Sequence, residues 1–319
     1  MVKMGADLVQ NPATVGYIFG ILMSLLIIIV GSVLIHKYGH KGNDAFKYAS
    51  GPSQRWALPV LIWRVVVFLF SFVTLVGFTF QGDAAYPGQS RAWSLSYFTV
   101  WNWMLLNVYF AVGVAVSVVR TFMPERVPEL VGDASVKAVE PARTRSLKTL
   151  FTAHHLIGEV EVPASLFVAL VVWCYLAPFS GDFASWTTFS SVAQHAVNAI
   201  TCHIDFWLAG WRFNKFHWPA PVMWVAIYMF WHLIANQVVG LMAYPIMYTN
   251  SPSFIAFSVG FALLIVLVFW AYYGLSLLKG RCCCFKRAAL LDIEAAKEGL
   301  PQADSPQDSA ADSAVVAAF

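Results

Sequence analysis

The chain has 319 residues, of which 59% are hydrophobic and 12% are charged, and its mean hydropathy is +0.65. These values exclude a soluble globular domain and indicate a protein that crosses a membrane several times. The formal net charge is +3, and the sequence has no basic patch of the kind that binds nucleic acid. We therefore expect membrane lipids around the chain and no nucleic-acid partner, while protein partners stay open.

Seven apolar segments of about 20 residues or more are predicted to be membrane-spanning helices. The segments are residues 14–35, 56–80, 93–119, 150–176, 188–213, 219–244 and 254–278. No small-residue cleavage site follows the first segment, so we interpret it as a helix and not as a signal peptide. The predicted fold class is an all-α, polytopic bundle of about seven membrane helices.

Lys and Arg are concentrated in alternate connections of this predicted bundle. They follow the first, third, fifth and seventh segments, whereas only Lys3 and Arg91 fall on the opposite side. The positive-inside rule then predicts an extracytosolic N-terminus and a cytosolic C-terminus. The predicted division is a short tail at 1–13, a membrane domain at 14–279 and a largely disordered cytosolic tail at 280–319. Plasma membrane and endomembrane stay open as locations.

Three adjacent cysteines, Cys282, Cys283 and Cys284, follow the last predicted helix, between Arg281 and Lys286. Thiols that lie next to the membrane among basic residues are typical of S-palmitoylation sites. The alternative is that all three remain reduced and unmodified. The five cysteines of the chain do not form a pattern that predicts disulfide bonds.

The fifth segment carries polar side chains that are unusual in a membrane helix. His195, Asn198, Cys202 and Asp205 follow one another at steps of three, four and three, so they share one helical face. Ionisable groups that face lipid are destabilising by several kcal/mol each. The stripe therefore predicts either an internal site or an internal structural network.

The depth of each polar residue in the membrane follows from its distance from the predicted membrane entry, at about 1.5 Å per helical residue. These depths divide the polar residues into two clusters. The outer cluster contains Thr99, Asn102, His195, Asn198, His232 and Asn236. The inner cluster contains Arg64, His154, His155, Glu159, Glu161, His203 and Asp205. Because an unpaired charge is costly at that depth, we expect Arg64 to pair with Glu159 or Asp205, and we assign a structural role to this network.

The outer cluster is compatible with two chemistries. A hydroxyl beside an imidazole, such as Thr99 with His195 or His232, can act as a nucleophile with its general base. Haem b needs two histidines at one depth, which only His195 and His232 provide. The alternative to both is that these side chains form hydrogen bonds between helices and have no catalytic role.

A metal site is not predicted by spacing. His154, His155 and Glu159 would be the candidate zinc ligands, but no CxxC or HExxH pattern supports them. We therefore expect no metal and no cofactor.

Four stretches, in this order and spacing, resemble rolling stone-like membrane proteins, which are distant relatives of the androgen-induced and androgen-dependent lipid hydrolases. The stretches are YFTVWNW at 97–103, EVEVPASLFVALVVW at 159–173, HAVN at 195–198 and YPI at 244–246. The resemblance begins at about residue 56, so the segment at 14–35 is an additional N-terminal helix relative to the six-helix hydrolases.

The resemblance implies intramembrane cleavage of fatty acid esters of hydroxy fatty acids, with a threonine nucleophile and a histidine two helices later. Thr99 matches the threonine, but Asn198 stands where the hydrolases carry their functional histidine, and asparagine cannot act as a base. The base is then expected to be His195 or His232, with Asn102 and Asn198 as oxyanion donors. The alternative is a branch that keeps the fold without hydrolysis, as a membrane scaffold or a receptor-like protein.

Overall fold

The computed structural model describes residues 12–38, 56–79, 95, 97–124, 142–181, 183–209, 212–239, 244 and 253–281. The described residues form helices and no strand, which confirms the predicted all-α class. Both predicted tails lie wholly or mostly outside the described residues, and so do the predicted palmitoylation sites Cys282, Cys283 and Cys284.

The labelled α-helices, in chain order, are α1 (Pro12–Tyr38), α2 (Ala57–Thr74), α3 (Phe98–Phe122), α4 (Ala142–Val171), α5 (Phe183–Trp186), α6 (Phe189–Val192), α7 (Asn198–Leu208), α8 (Pro219–Val239) and α9 (Ser253–Arg281). A short α-helical turn, Ala177–Phe179, lies between α4 and α5. Three π-helical segments continue or join them. Leu75–Thr79 extends α2, Val172–Leu176 extends α4, and Ala193–Val197 joins α6 to α7. A 3₁₀ turn, Lys215–His217, precedes α8.

Six helical stretches of the described chain are long and apolar enough to cross a membrane, so the chain is an integral multi-pass membrane protein. They are Ile18–Tyr38, Ala57–Gly77, Phe98–Phe122, Ser146–Phe179, Lys215–Asn236 and Phe254–Lys279. They agree with six of the seven predicted segments. The remaining prediction, 188–213, corresponds to α6, the π-helical segment and α7, which together reach about 30 Å. The polar stripe therefore lies on an interrupted helix.

Helix α1 packs closely against α8 at two glycines. A Cβ atom at Gly20 would lie 2.8 Å from Leu233 of α8, and one at Gly31 would lie 2.5 Å from Met223. Because glycine has only a hydrogen atom as its side chain, the two helix backbones can approach closely, as is common between membrane helices. Large apolar side chains elsewhere on α1, including Leu22, are exposed, as expected for a lipid-facing surface.

Helices α3 and α4 supply much of the interior of the bundle. Helix α3 packs against α2 and α4, and α4 also contacts α7, α8 and α9. Trp103, Leu106 and Phe110 of α3 are completely buried. Pro163 lies inside α4, which nevertheless continues to Val171. This central position brings polar residues of α4 into contact with three different parts of the chain.

One end of the bundle contains Arg64, Asp205, Ala209, residues 212–218 and Lys279, and we call it the basic end. The ring of Tyr38, at the end of α1, stacks on Phe216 with ring centroids 6.0 Å apart. The buried Lys279 ammonium of α9 donates hydrogen bonds to the carbonyl oxygens of Phe206 and Ala209 at the end of α7. The charge distribution predicts that this end faces the cytosol.

We expect Lys279→Met to lower the free energy of unfolding by about 1–3 kcal/mol, the typical cost of leaving a buried acceptor without its hydrogen bond. Methionine keeps an unbranched side chain but cannot donate to the carbonyl groups that end α7, which leaves them unsatisfied. Thermal unfolding in detergent measures the loss. Lys37→Met, at the exposed end of α1, is the control, and an equal change in both variants would contradict the prediction.

Candidate functional site

A completely buried ion pair joins α2 to α7. Arg64 Nε lies 2.9 Å from Asp205 Oδ1, and Nη2 lies 3.1 Å from Oδ2, so the contact is bidentate. Tyr109 of α3 donates to Oδ2 at 2.5 Å. Arg64 Nη1 also donates to Ser117 Oγ at 2.9 Å and to the Gly113 carbonyl at 3.2 Å. Of the two carboxylates predicted as partners of Arg64, the structure selects Asp205.

His154 belongs to the surroundings of this ion pair. Its imidazole stacks on the Tyr109 ring, with centroids 5.0 Å apart and planes inclined by 8°. Gly113 of α3 leaves room for it, because a Cβ atom there would lie 2.9 Å from His154 Nε2 and 3.2 Å from Arg64 Cδ. Four helices, α2, α3, α4 and α7, therefore meet at one polar contact.

Glu159 lies between two imidazoles and does not pair with Arg64. His155 Nε2 is 3.1 Å from Glu159 Oε1, and His217 Nδ1 contacts Oε2. The backbone N–H of Asn214 donates to Oε1. All three ionisable side chains are buried, and Glu159 is fully buried. This cluster joins the middle of α4 to the connection between α7 and α8.

The turn before α8 positions His217. Asn214 Oδ1 accepts a hydrogen bond of 3.0 Å from the Phe216 backbone N–H, which caps the 3₁₀ turn. The Asn214 side-chain nitrogen lies 3.4 Å from His217 Nε2. Sequence reasoning did not identify His217, because it lies between two predicted helices and is 58 residues from Glu159. No spacing rule connects residues so far apart.

A second buried network joins α3, α4 and α7. Asn102 Nδ2 donates to Glu161 Oε1 at 3.1 Å, and the Cys202 thiol lies 3.8 Å from the same oxygen. The thiol is also 3.8 Å from Asn198 Oδ1. The predicted depth sorting separated Asn102 and Asn198 from Glu161, but the structure joins them. All three lie about ten residues from their predicted membrane entries, so they meet near mid-depth.

Thr99, in the first turn of α3, lines a cavity that lies between α3, α4, α8 and α9. The cavity has a volume of about 60 Å³. Its polar lining residues are Thr99, Tyr228, Tyr244 and Ser258, and its other lining residues are apolar or aromatic. The side chains of Thr99 and Tyr244 lie close to each other in this wall. A hydroxyl group therefore lies at the wall of a predominantly apolar cavity inside the bundle.

The two histidines proposed from sequence as the base lie against different aromatic rings. The His195 ring is 5.9 Å from Trp186, and the His232 ring is 5.7 Å from Tyr228. Neither is among the described residues that line the Thr99 cavity, although His232 reaches its wall through Tyr228. His195 lies in the π-helical segment, a feature that is frequent at functional sites.

No family model, no curated protein and no solved structure matches the chain. The resemblance to rolling stone-like proteins and lipid hydrolases therefore stays a prediction from short stretches of sequence. Fold class alone does not transfer a reaction, so the function has to be inferred from the residues of the cavity and of the buried clusters.

Proposed function

We propose that this membrane protein binds the acyl chain of a lipid ester in the Thr99 cavity and hydrolyses the ester at the Thr99 hydroxyl. The observation that carries the proposal is the position of Thr99, a hydroxyl group in the wall of a cavity whose surface is predominantly apolar.

The cavity supports acyl-chain binding through its lining. Its volume of about 60 Å³ is below the range of roughly 300–1,000 Å³ that is typical of small-molecule sites, so the proposal requires the cavity to widen when a chain enters. Phe167 and Val172 of the α4 region, Val225 of α8 and Phe261 of α9 present hydrocarbon to it. A membrane offers acyl chains at high concentration, and burial of their methylene groups against these side chains is favourable.

In the proposed reaction, Thr99 Oγ1 attacks the ester carbonyl carbon and forms an acyl-enzyme while the alcohol leaves with a proton. Water then cleaves the acyl-enzyme and restores the hydroxyl group. His232 is the better candidate for the base, because its ring contacts Tyr228 of the cavity wall, whereas His195 contacts Trp186. Asn102 and Asn198 are not among the described lining residues, so the proposal does not use them as oxyanion donors.

A second candidate function is lipid binding without cleavage, in a receptor-like or scaffold protein. The observation that favours it is the engagement of Asn102 and Asn198 with Glu161 and Cys202, which joins helices. In this case the cavity holds an acyl chain, and the hydroxyl groups of its wall only orient the polar end of the lipid.

Labelling with a fluorophosphonate probe, and hydrolysis of a fatty acid ester of a hydroxy fatty acid, test the first candidate in purified protein. Thr99→Ala is expected to lose at least about a hundredfold in both assays, and His232→Ala to lose about 10²–10⁴-fold in hydrolysis. Ser258→Ala is the matched control. It removes another hydroxyl group from the same cavity, one that donates to the Phe254 carbonyl at 2.8 Å. Turnover by Thr99→Ala equal to that of the wild type would exclude Thr99 as the nucleophile.

Binding of a fluorescent fatty acid distinguishes the two candidates. Met229→Trp fills the cavity and is expected to weaken binding at least tenfold, whereas Leu267→Trp, at an exposed position of α9, is expected to leave it unchanged. Binding without probe labelling or hydrolysis would favour the second candidate. Binding that is unaffected by Met229→Trp would place the acyl chain elsewhere and contradict both.

A further inference from the structure

The His155, Glu159 and His217 cluster at the basic end has the geometry of a cation site. Each residue offers one ligand atom, and the three atoms lie within 4.8 Å of one another. His155 and Glu159 are four residues apart on α4 and therefore share one face of the helix. His217 approaches from the connection before α8, so the ligands come from two separate parts of the chain.

Two imidazoles and one carboxylate are a ligand set that catalytic zinc sites use. Ligand atoms about 2.0–2.2 Å from a tetrahedral zinc ion are about 3.3 Å apart. The distance of 3.1 Å between His155 Nε2 and Glu159 Oε1 is close to that value, whereas His217 Nδ1 and Glu159 Oε2 would have to move apart to admit an ion. We propose that His155, Glu159 and His217 bind a divalent transition metal ion, with zinc as the ion that this ligand set fits.

The environment also provides a partner that orients the ligands. Asn214 donates its backbone N–H to Glu159 Oε1, and its side chain lies beside His217 Nε2. Groups that contact the ligating residues in this way hold carboxylates and imidazoles in position at metal sites. Three protein ligands leave one tetrahedral position for a water molecule. The ion would fasten the connection before α8 to the middle of α4, at a distance from the Thr99 cavity, with which the cluster shares no lining residue.

The alternative is a metal-free cluster in which the carboxylate is held by hydrogen bonds from the two imidazoles. Both arrangements give the Glu159 carboxylate its polar partners, but only the first of them binds an ion. A metal site takes up one ion per chain and is stabilised by it, whereas a hydrogen-bonded cluster is indifferent to zinc and to chelators.

The first experiment is titration of the full chain, purified in detergent without a polyhistidine tag and treated with a chelator, with zinc chloride. We expect one zinc ion per chain and a rise in melting temperature that the chelator reverses. Glu159→Gln and His217→Ala are expected to weaken binding at least tenfold. His36→Ala, which removes an exposed imidazole at the end of α1, is expected to bind as the wild type does.

Thiolates also bind zinc, so the titration is repeated with Cys282, Cys283 and Cys284 all changed to Ser. This variant is expected to keep the site. Absence of stoichiometric zinc binding in it, or binding that Glu159→Gln and His217→Ala leave unchanged, would overturn the proposal.

Cobalt gives a test that does not depend on loss of binding. Cobalt added in place of zinc is expected to show the intense visible absorption of a tetrahedral ion. His217→Cys, added to the variant in which Cys282, Cys283 and Cys284 are changed to Ser, replaces one ligand by a thiolate. It is expected to add a sulfur-to-cobalt charge-transfer band. The same substitution at His36 is expected to add none. A His217→Cys protein that is folded and lacks this band would also overturn the proposal.

Discussion

Asp205→Asn is expected to lower the free energy of unfolding by about 3–5 kcal/mol, the typical cost of removing one partner from a buried ion pair. The substitution leaves the Arg64 guanidinium at zero exposure without its bidentate carboxylate. Tyr109 also loses the charged acceptor of its 2.5 Å hydrogen bond. The loss is measured by chemical unfolding in mixed micelles of mild and denaturing detergent.

Glu161→Gln is the matched control for this prediction, because it makes the same change from carboxylate to amide at another completely buried position. The contacts of Glu161 Oε1 are with the neutral side chains of Asn102 and Cys202, and a glutamine oxygen can accept from both. We expect a loss below about 1 kcal/mol. Equal losses in the two variants would show that charge pairing with Arg64 is not what Asp205 contributes.

A double substitution tests the Arg64–Asp205 ion pair in a second way. Replacing both members of a buried ion pair by apolar residues is often neutral or stabilising, because neither charge then has to be desolvated. Arg64→Met combined with Asp205→Leu is therefore expected to recover most of the stability that Asp205→Asn loses. Failure to recover it would indicate that the remaining partners, Ser117 and Tyr109, depend on the pair for their own arrangement.

Gly113→Ala is expected to lower the free energy of unfolding by about 1–3 kcal/mol, the range typical of overpacked interiors. The added Cβ atom would lie 2.9 Å from His154 Nε2 and 3.2 Å from Arg64 Cδ. The His154 ring cannot move aside freely, because it stacks on the buried Tyr109 ring. The clash opposes the gain of about 1 kcal/mol that alanine has over glycine within a helix.

Gly274→Ala on α9 is the control, because no described atom apart from its chain neighbours and its own helix backbone lies within 4 Å of the position that its Cβ would take. We expect it to stabilise the protein by up to about 1 kcal/mol. The two identical substitutions therefore have opposite expected signs in one thermal unfolding assay. Adding His154→Ala to Gly113→Ala should restore part of the loss, and a Gly113→Ala protein as stable as the wild type would contradict the described packing.

The choice of charge partners shows where reasoning from sequence ends. Hydropathy and the cost of a buried charge predict that Arg64 needs a carboxylate. They do not choose between Glu159 and Asp205, since both lie in helices at compatible depths. The choice depends on the rotation of α4 and α7 about their axes, which turns Asp205 to Arg64 and Glu159 to His217. The same rotation makes His217, and not His154, the third member of the candidate metal site.

Helical class and six of the seven predicted membrane segments could be read from the sequence. They depend on local properties, namely the length and hydropathy of each apolar segment and the strength of backbone hydrogen bonding in lipid. Only the tertiary structure decided which side chains meet. It placed Thr99 at an apolar cavity, separated His195 from His232 by different aromatic contacts, and brought His217 to Glu159. The physical reason is that such contacts depend on the packing of side chains from distant parts of the chain. They also depend on small residues such as Gly113 that allow close approach, and on the interruption of the fifth predicted helix. A local sequence pattern encodes none of these three features.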